Sequence, residues 1–205
     1  MRARTANRAL ISLRKLTPPR AEEDLTRVLA GDADWVDSLL FKASNKDREK
    51  IAHAIWRLGV GTDVLRATIE AAWRHDHRFC LAAFGWDMMK AFRDAEFPTD
   101  HLPEQLTIWR GVSWPKVNGP EEDTGLSWTL NRDIACWFAL RLPNDQNEPF
   151  VIRRVVDRAS VLAHITSRDE DEIIVEPIDM ETWEVDGDLK DWQAASDRFV
   201  RQKAE

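Results

Sequence analysis

Two hydrophobic periods divide the chain. Up to residue 97, apolar positions recur three and four residues apart, the spacing of one helix face. Thr17, Pro18 and Pro19, followed by Glu22 and Glu23, read as a helix start. Proline suits the first turn, and acids there complement the helix dipole. Gly31 ends that helix. Asp34 is the expected cap of a second, with Val36, Leu39 and Leu40 on one face. Asp47 opens a third, whose Ile51, Ile55 and Leu58 stripe stops at Gly59. Thr62 opens a fourth with Leu65, Ile69 and Trp73 aligned. After His75, Asp76 and His77 another helix is expected through Phe92.

The prolines at 98 and 103 mark a connector, and short β-type runs follow at 106–109, 126–130, 150–156, 161–165, 172–175 and 182–185. One helix interrupts them. Asn131 caps it, Asp133 lies in its first turn, and Ile134, Trp137, Phe138 and Arg141 share a face. A last amphipathic helix is predicted over 189–203. This pattern is α+β: a helical N-terminal half, then a mixed, mostly antiparallel strand domain. The expected divisions are a basic arm at 1–20, a helical domain at 21–97 and a catalytic-type domain at 98–205.

Charge sharpens the first division. Residues 1–20 carry six cations and no acid, which leaves −13 on the rest of a chain of net charge −7. A solvated, partly disordered tail, or one that pairs with the acidic body, is the expectation, with an arm for phosphates or an acidic partner as the alternative. An acidic body does not suit a general nucleic-acid clamp. No apolar run approaches the roughly 18 residues of a membrane span, and the apolar patch at 9–13 is too short for a secretory core. Two cysteines, Cys80 and Cys136, build neither a disulfide framework nor a zinc pattern, so a reducing cytoplasm is expected. His75, His77 and Cys80 lack a second ligand pair, and no metal is expected.

The 205 residues include 10 Trp and no Tyr, which excludes any chemistry that needs a phenol. There is no Gly-rich phosphate loop and no Gly-x-Ser-x-Gly elbow. Three spots in the second half carry candidate chemistry. Trp109, Arg110 and Gly111 end a predicted strand. Ser127, Trp128 and Thr129 place two hydroxyls on one strand face. Glu170, Asp171 and Glu172 lead into an apolar strand, where both glutamates are expected to face the same way, roughly 6–7 Å apart. Singly, each has an ordinary reading: a salt-bridged arginine, plain strand residues, a solvated acidic loop.

In that order, over about residues 105–185, the three motifs resemble the arginine–serine–glutamate class of mono-ADP-ribosyltransferases. That family carries an aromatic-Arg motif on its first strand, Ser-x-Ser/Thr on a central strand before a helix, and Glu-x-Glu before an apolar strand. Trp109 stands where the family often has Tyr, and Trp128 where it often has Thr. The resemblance implies a two-sheet domain that takes NAD as substrate. Glu172 would hold the nicotinamide ribose, and Glu170 would orient or deprotonate the nucleophile. Arg110 would bind the pyrophosphate, Ser127 would hydrogen-bond Glu172 or the ribose with Thr129 in support on the cofactor side, and Trp109, Trp114 and Trp128 would wall the pocket. The residue types suit the reaction independently. Cleaving the nicotinamide–ribose bond spreads positive charge over the ribose, which a fixed carboxylate stabilises.

The resulting expectation is an enzyme that moves ADP-ribose from NAD to a macromolecule. The resemblance implies protein arginine as the default acceptor, because family members with two glutamates at this spacing commonly modify it, with RNA open. Small bacterial and phage members act as toxins or phage-defence effectors, and the helical half is then a candidate for binding an antitoxin or other partner. His164, Ser167 and Arg168 are weaker target-recognition candidates, and a strand-end role is preferred for His164. An NAD glycohydrolase, with water as acceptor, and a non-catalytic interaction protein are the alternatives.

Overall fold

The change of period at residue 97 coincides with a boundary between two units, Met1–Phe97 and Pro98–Glu205, in the computed structural model of the protein. Residues 2–75, 77–115, 125–142, 146–168, 170–176 and 183–204 are described, with the side chains of 2–6, 77–79 and 115 excepted.

The first unit is helical: α1 (Arg2–Leu16), α2 (Glu22–Leu29), α3 (Val36–Lys42), α4 (Arg48–Leu58), α5 (Thr62–His75), α6 (His77–Phe84) and α7 (Asp87–Ala95). The stripes read from the sequence form its core: Val36, Leu39, Leu40, Ile51, Ile55, Ile69 and Trp73 are almost completely buried. Gly59 ends α4 at φ 69°, a left-handed position that glycine adopts without steric cost. Three expectations change. The basic segment is a helix, not a tail: α1 packs on α4, and Leu13 is fully buried. Asp32, not Asp34, is the cap; its carboxylate accepts from the Asp34 backbone N–H and opens a short 3₁₀ turn at Ala33–Trp35 ahead of α3. The single helix expected to run through Phe92 is two, divided at Gly85 (φ 55°).

The second unit is one sheet with two helices: β1 (Gln105–Pro115), β2 (Ser127–Thr129), α8 (Arg132–Leu140), β3 (Asn147–Asp157), β4 (Val161–Ile165), β5 (Glu172–Val175), β6 (Glu184–Val185) and α9 (Leu189–Gln202). Thr182, the expected start of the sixth strand, lies outside the described residues. The strand order is β4-β5-β2-β1-β3-β6, and every pairing is antiparallel. The class is therefore α+β as expected. In place of two sheets, the described strands form a single one, because short β2 pairs with β1 on one side and β5 on the other.

Alternation gives this sheet two apolar faces. On one, Leu106, Ile108, Trp128, Ile152, Val156 and Ile173 form a cluster. On the other, Val151 packs with Ala135, Cys136 and Ala139 of α8 and with Trp192 and Ala195 of α9. Gly111 lets α8 lie directly on β1: a Cβ there would come 1.9 Å from the Ala135 carbonyl oxygen. Asn131 caps α8 as expected, accepting from the backbone N–H groups of Asp133 and Ile134.

Candidate active site

A row of residues crosses three strands at the middle of the sheet. Trp109 stands opposite Thr129, and Thr129 opposite Glu172. Ser127, two residues before Thr129, shares their face. Its hydroxyl donates to Oε1 of Glu172, whose side chain is buried at 3% exposure. A carboxylate taken this far from water needs hydrogen bonds to offset desolvation, and the β2 hydroxyl supplies one.

Arg110 leaves β1 on the opposite face from Trp109. Its guanidinium reaches the backbone of β2, where Nη1 donates to the Ser127 carbonyl at 2.5 Å. Gly125 makes the room. A Cβ on Gly125 would sit 2.0 Å from the Arg110 guanidinium carbon. The three expected groups are thus one connected line, from Arg110 to the backbone of Ser127 and from the Ser127 hydroxyl to Glu172.

Thr129 does a different job from the one expected of it. Its hydroxyl donates to the Glu170 carbonyl (2.6 Å) and accepts from the Asn131 backbone N–H (3.0 Å). The Leu130 N–H donates to the Asp171 carbonyl (3.0 Å). The turn that carries both glutamates is therefore latched to the end of β2 and to the start of α8. Within that turn Asp171 adopts φ 44°, a left-handed conformation uncommon for a residue with a Cβ. This corrects the expectation that Glu170 and Glu172 share a strand face. β5 begins at Glu172, and the left-handed residue before it ends the alternation.

Glu170 is half-buried beside Arg168, with Oε1 3.4 Å from Nη2. Burial pushes its carboxyl above the ordinary carboxylate value, and the Glu172 charge adds to the rise; Arg168, Arg141 and Lys203 pull the other way. The two glutamates are thus held in different surroundings, one nearly enclosed and bonded to Ser127, the other half-buried beside Arg168.

The tryptophans divide. Trp109 is partly buried against the α8–α9 cluster, and its indole N–H donates to Asp186 at 2.8 Å. Trp114 is partly buried, with Phe150 and Trp183 at ring distances of 5.2 and 5.7 Å. Trp128, expected as a pocket wall, is a core residue: 4% exposed, its N–H given to the Gly125 carbonyl and its ring face covered by the Arg154 guanidinium at 4.6 Å. Strand alternation is the reason, because a residue between Ser127 and Thr129 must point to the other side of the sheet.

Several contributors were not singled out from sequence. Gly125 looks like any loop glycine until Arg110 is seen against it. Asp186 accepts from Trp109 and from Arg132 Nε (2.6 Å), and its carbonyl accepts from the Trp192 indole (2.6 Å), so it ties β1, α8 and α9 together. His101 Nε2 and His164 Nδ1 lie 2.8 Å apart, and His164 Nε2 is 3.5 Å from the Asp171 carboxylate. His164 thus touches the glutamate turn itself. Ser167 and Arg168 lie exposed in the approach to that turn.

Neither cysteine is a candidate nucleophile. Cys80 and Cys136 are buried and in no disulfide, and burial pushes the Cys136 thiol up to about 11. Among the described residues no group of metal-ligating side chains is assembled, and the His77 side chain lies outside them. No described helix is long and apolar enough to cross a membrane. A surface cavity of about 770 Å³ is lined by residues that include Asp100, Glu104, Asp157 and Arg158. Arg158 is taken up by the carbonyls of Asp100 and Leu102, so an anionic cofactor would meet mainly carboxylates there. Comparison with known protein families, curated proteins and solved structures finds no match to this chain.

Proposed function

We propose that the second unit is a mono-ADP-ribosyltransferase that cleaves NAD and transfers ADP-ribose to a macromolecular acceptor. The observation that carries this reading is the connected line Arg110–Ser127–Glu172. Three residues far apart in sequence meet at β2, and each has the chemistry that one stage of the reaction needs.

In this reading Glu172 faces the nicotinamide ribose. As the C1′–nitrogen bond breaks, nicotinamide leaves with the bonding electron pair and positive charge spreads over C1′ and the ring oxygen. A buried carboxylate fixed by Ser127 requires no reorganisation to stabilise that charge, which is where electrostatic catalysis gains most. Arg110, held in the Gly125 recess, offers a planar fork to the pyrophosphate. Glu170 accepts the proton of the incoming nucleophile. Its raised proton affinity suits a general base better than an ordinary surface carboxylate would. Trp109, pinned by Asp186, flanks the row. The proposed site lies along one sheet, at the end of β2.

The helical unit is then the part that meets a partner, for example an antitoxin if the protein is a toxin or a phage-defence effector.

Incubation of the full chain with NAD labelled in the adenylate half tests the proposal. Label covalently attached to a macromolecule is expected. Label found only in free ADP-ribose would make the protein an NAD glycohydrolase, and intact NAD throughout would remove the enzymatic reading.

A further inference from the structure

The surroundings of Glu170 carry information about the acceptor. Arg168 lies on one side at 3.4 Å. Arg141, just beyond the C-terminal end of α8, has its guanidinium 4.3 Å from the Phe138 ring centre and 5.2 Å from that of Trp137. Trp137 in turn packs against Phe199 of α9 at 5.6 Å, and Lys203 stands 5.5 Å from the Phe199 ring. Arg141, Arg168 and Lys203 are all exposed, and all three act electrostatically on the Glu170 carboxylate. Leu142, beside Arg141, is 71% exposed. A chain of net charge −7 therefore sets three cations to act on the one carboxylate assigned to the nucleophile, two of them, Arg141 and Lys203, against aromatic rings.

From this geometry we infer that the acceptor is a single-stranded nucleic acid, which approaches Glu170 across the platform of Phe138, Arg141, Arg168 and Lys203. The inference rests on the transferase reading of the same site. An arginine side chain, the default acceptor for a two-glutamate motif, would have to bring a fourth cation to this carboxylate. A nucleic-acid strand brings phosphates, which release counterions when they meet Lys and Arg. Its bases have flat faces that stack on aromatic rings and on guanidinium planes. Arg141, laid over Phe138, presents such a plane. An acidic peptide satisfies the charge but has no use for the stacked surface. In the transfer step an N–H or O–H group of the nucleotide attacks C1′ of the NAD ribose. The new bond to C1′ forms, the C1′–nicotinamide bond breaks, nicotinamide departs with the electron pair, and the nucleophile's proton passes to Glu170.

Binding can be measured apart from catalysis. Fluorescein-labelled 12-nucleotide single strands of RNA and of DNA, and a 12-base-pair duplex, are titrated with the full chain without NAD, and anisotropy is followed at several salt concentrations. Saturable binding to a single strand is expected, weaker at higher salt. RNA and DNA arms identify which strand is preferred. Arg141→Glu and Lys203→Glu, both at exposed positions, are expected to weaken binding at least about 10-fold each. Lys190→Glu, at the opposite end of α9, is expected to leave it within about 2-fold. No binding to either single strand, preference for the duplex, or equal loss in all three variants overturns the inference. So does transfer of label from NAD to an arginine compound or an acidic protein in preference to nucleic acid. Because these titrations need no turnover, a chain that binds single strands but leaves NAD intact would refute the transferase reading and not the binding surface. A chain that turns over NAD but ignores nucleic acid would do the reverse.

Discussion

Ser127 donates its hydroxyl to Glu172 although Thr129, not Ser127, stands opposite that glutamate in the strand pairing. The diagonal contact frees Thr129 to hold the Glu170 carbonyl. The two hydroxyls of one three-residue strand thus serve two neighbouring elements, the side chain of one glutamate and the backbone of the other.

Ser127→Ala removes the Ser127 hydroxyl that donates to the Glu172 carboxylate. Hydrogen bonds to charged groups contribute about 1.5–3 kcal/mol, so NAD cleavage should slow by about 10- to 100-fold. Steady-state nicotinamide release measures this. Thr129→Ala should act differently, by loosening the turn and lowering the melting temperature along with the rate. If Ser127→Ala retains full activity, Glu172 does not depend on that contact.

Gly125→Ala places a Cβ where the Arg110 guanidinium lies. The long side chain can swing away, so the fold should persist, but Arg110 loses its recess. The expected result is a rise in KM for NAD of about 10-fold with a smaller change in kcat, the pattern of lost ground-state binding. An unchanged KM would separate Arg110 from the dinucleotide.

Gly111→Ala is expected to damage the fold itself. The clash there is with the α8 backbone at Ala135 and Ala139, which cannot step aside as a side chain can. Overpacking of this kind costs about 1–3 kcal/mol. Urea denaturation should show a lower midpoint with an unchanged slope, and equal stability would mean that α8 is free to move off β1.

Glu170 should leave a pH signature. Its carboxyl sits above the ordinary value, chiefly because of burial, so the folded state favours the neutral form. Stability contributed by that preference is present below the ordinary carboxylate range and is lost as pH rises through the folded value. Glu170→Gln should therefore be at least as stable as the parent at neutral pH, and the advantage should fade in acid. Transfer should show the opposite dependence. A base must be ionised, so the rate should rise with pH with a midpoint above ordinary carboxylates. Melting temperatures and rates across pH check both limbs, and a rate independent of pH in that range would remove Glu170 as the base.

Much of this architecture is legible in the residue order. Helix faces such as Ile51–Ile55 and Leu65–Ile69–Trp73 lie where their spacing puts them, because burial of one stripe decides a helix. The motif order Arg110, Ser127, Glu172 is matched by convergence at β2. What the residues alone do not reveal comes from contacts between distant segments. The left-handed Asp171, the Gly125 recess and the Asp186 hub each depend on a neighbour 15 or more residues away. Trp128 points away from Ser127 and Thr129 into one of the sheet's two apolar clusters, which alternation separates without saying what packs on either. The basic segment misleads for a related reason: charge suggests a tail, while the burial of Leu13 makes it a packed helix.

The most direct test of the central claim is nicotinamide release from NAD by the full chain and by its Glu172→Gln variant, with melting temperatures matched. Removal of a charge that acts mainly in the transition state should lower the rate about 10²-fold or more while leaving the fold intact. A variant that releases nicotinamide as fast as the parent would contradict the assignment of Glu172 and, with it, the reading of the Arg110–Ser127–Glu172 line as an NAD-cleaving site.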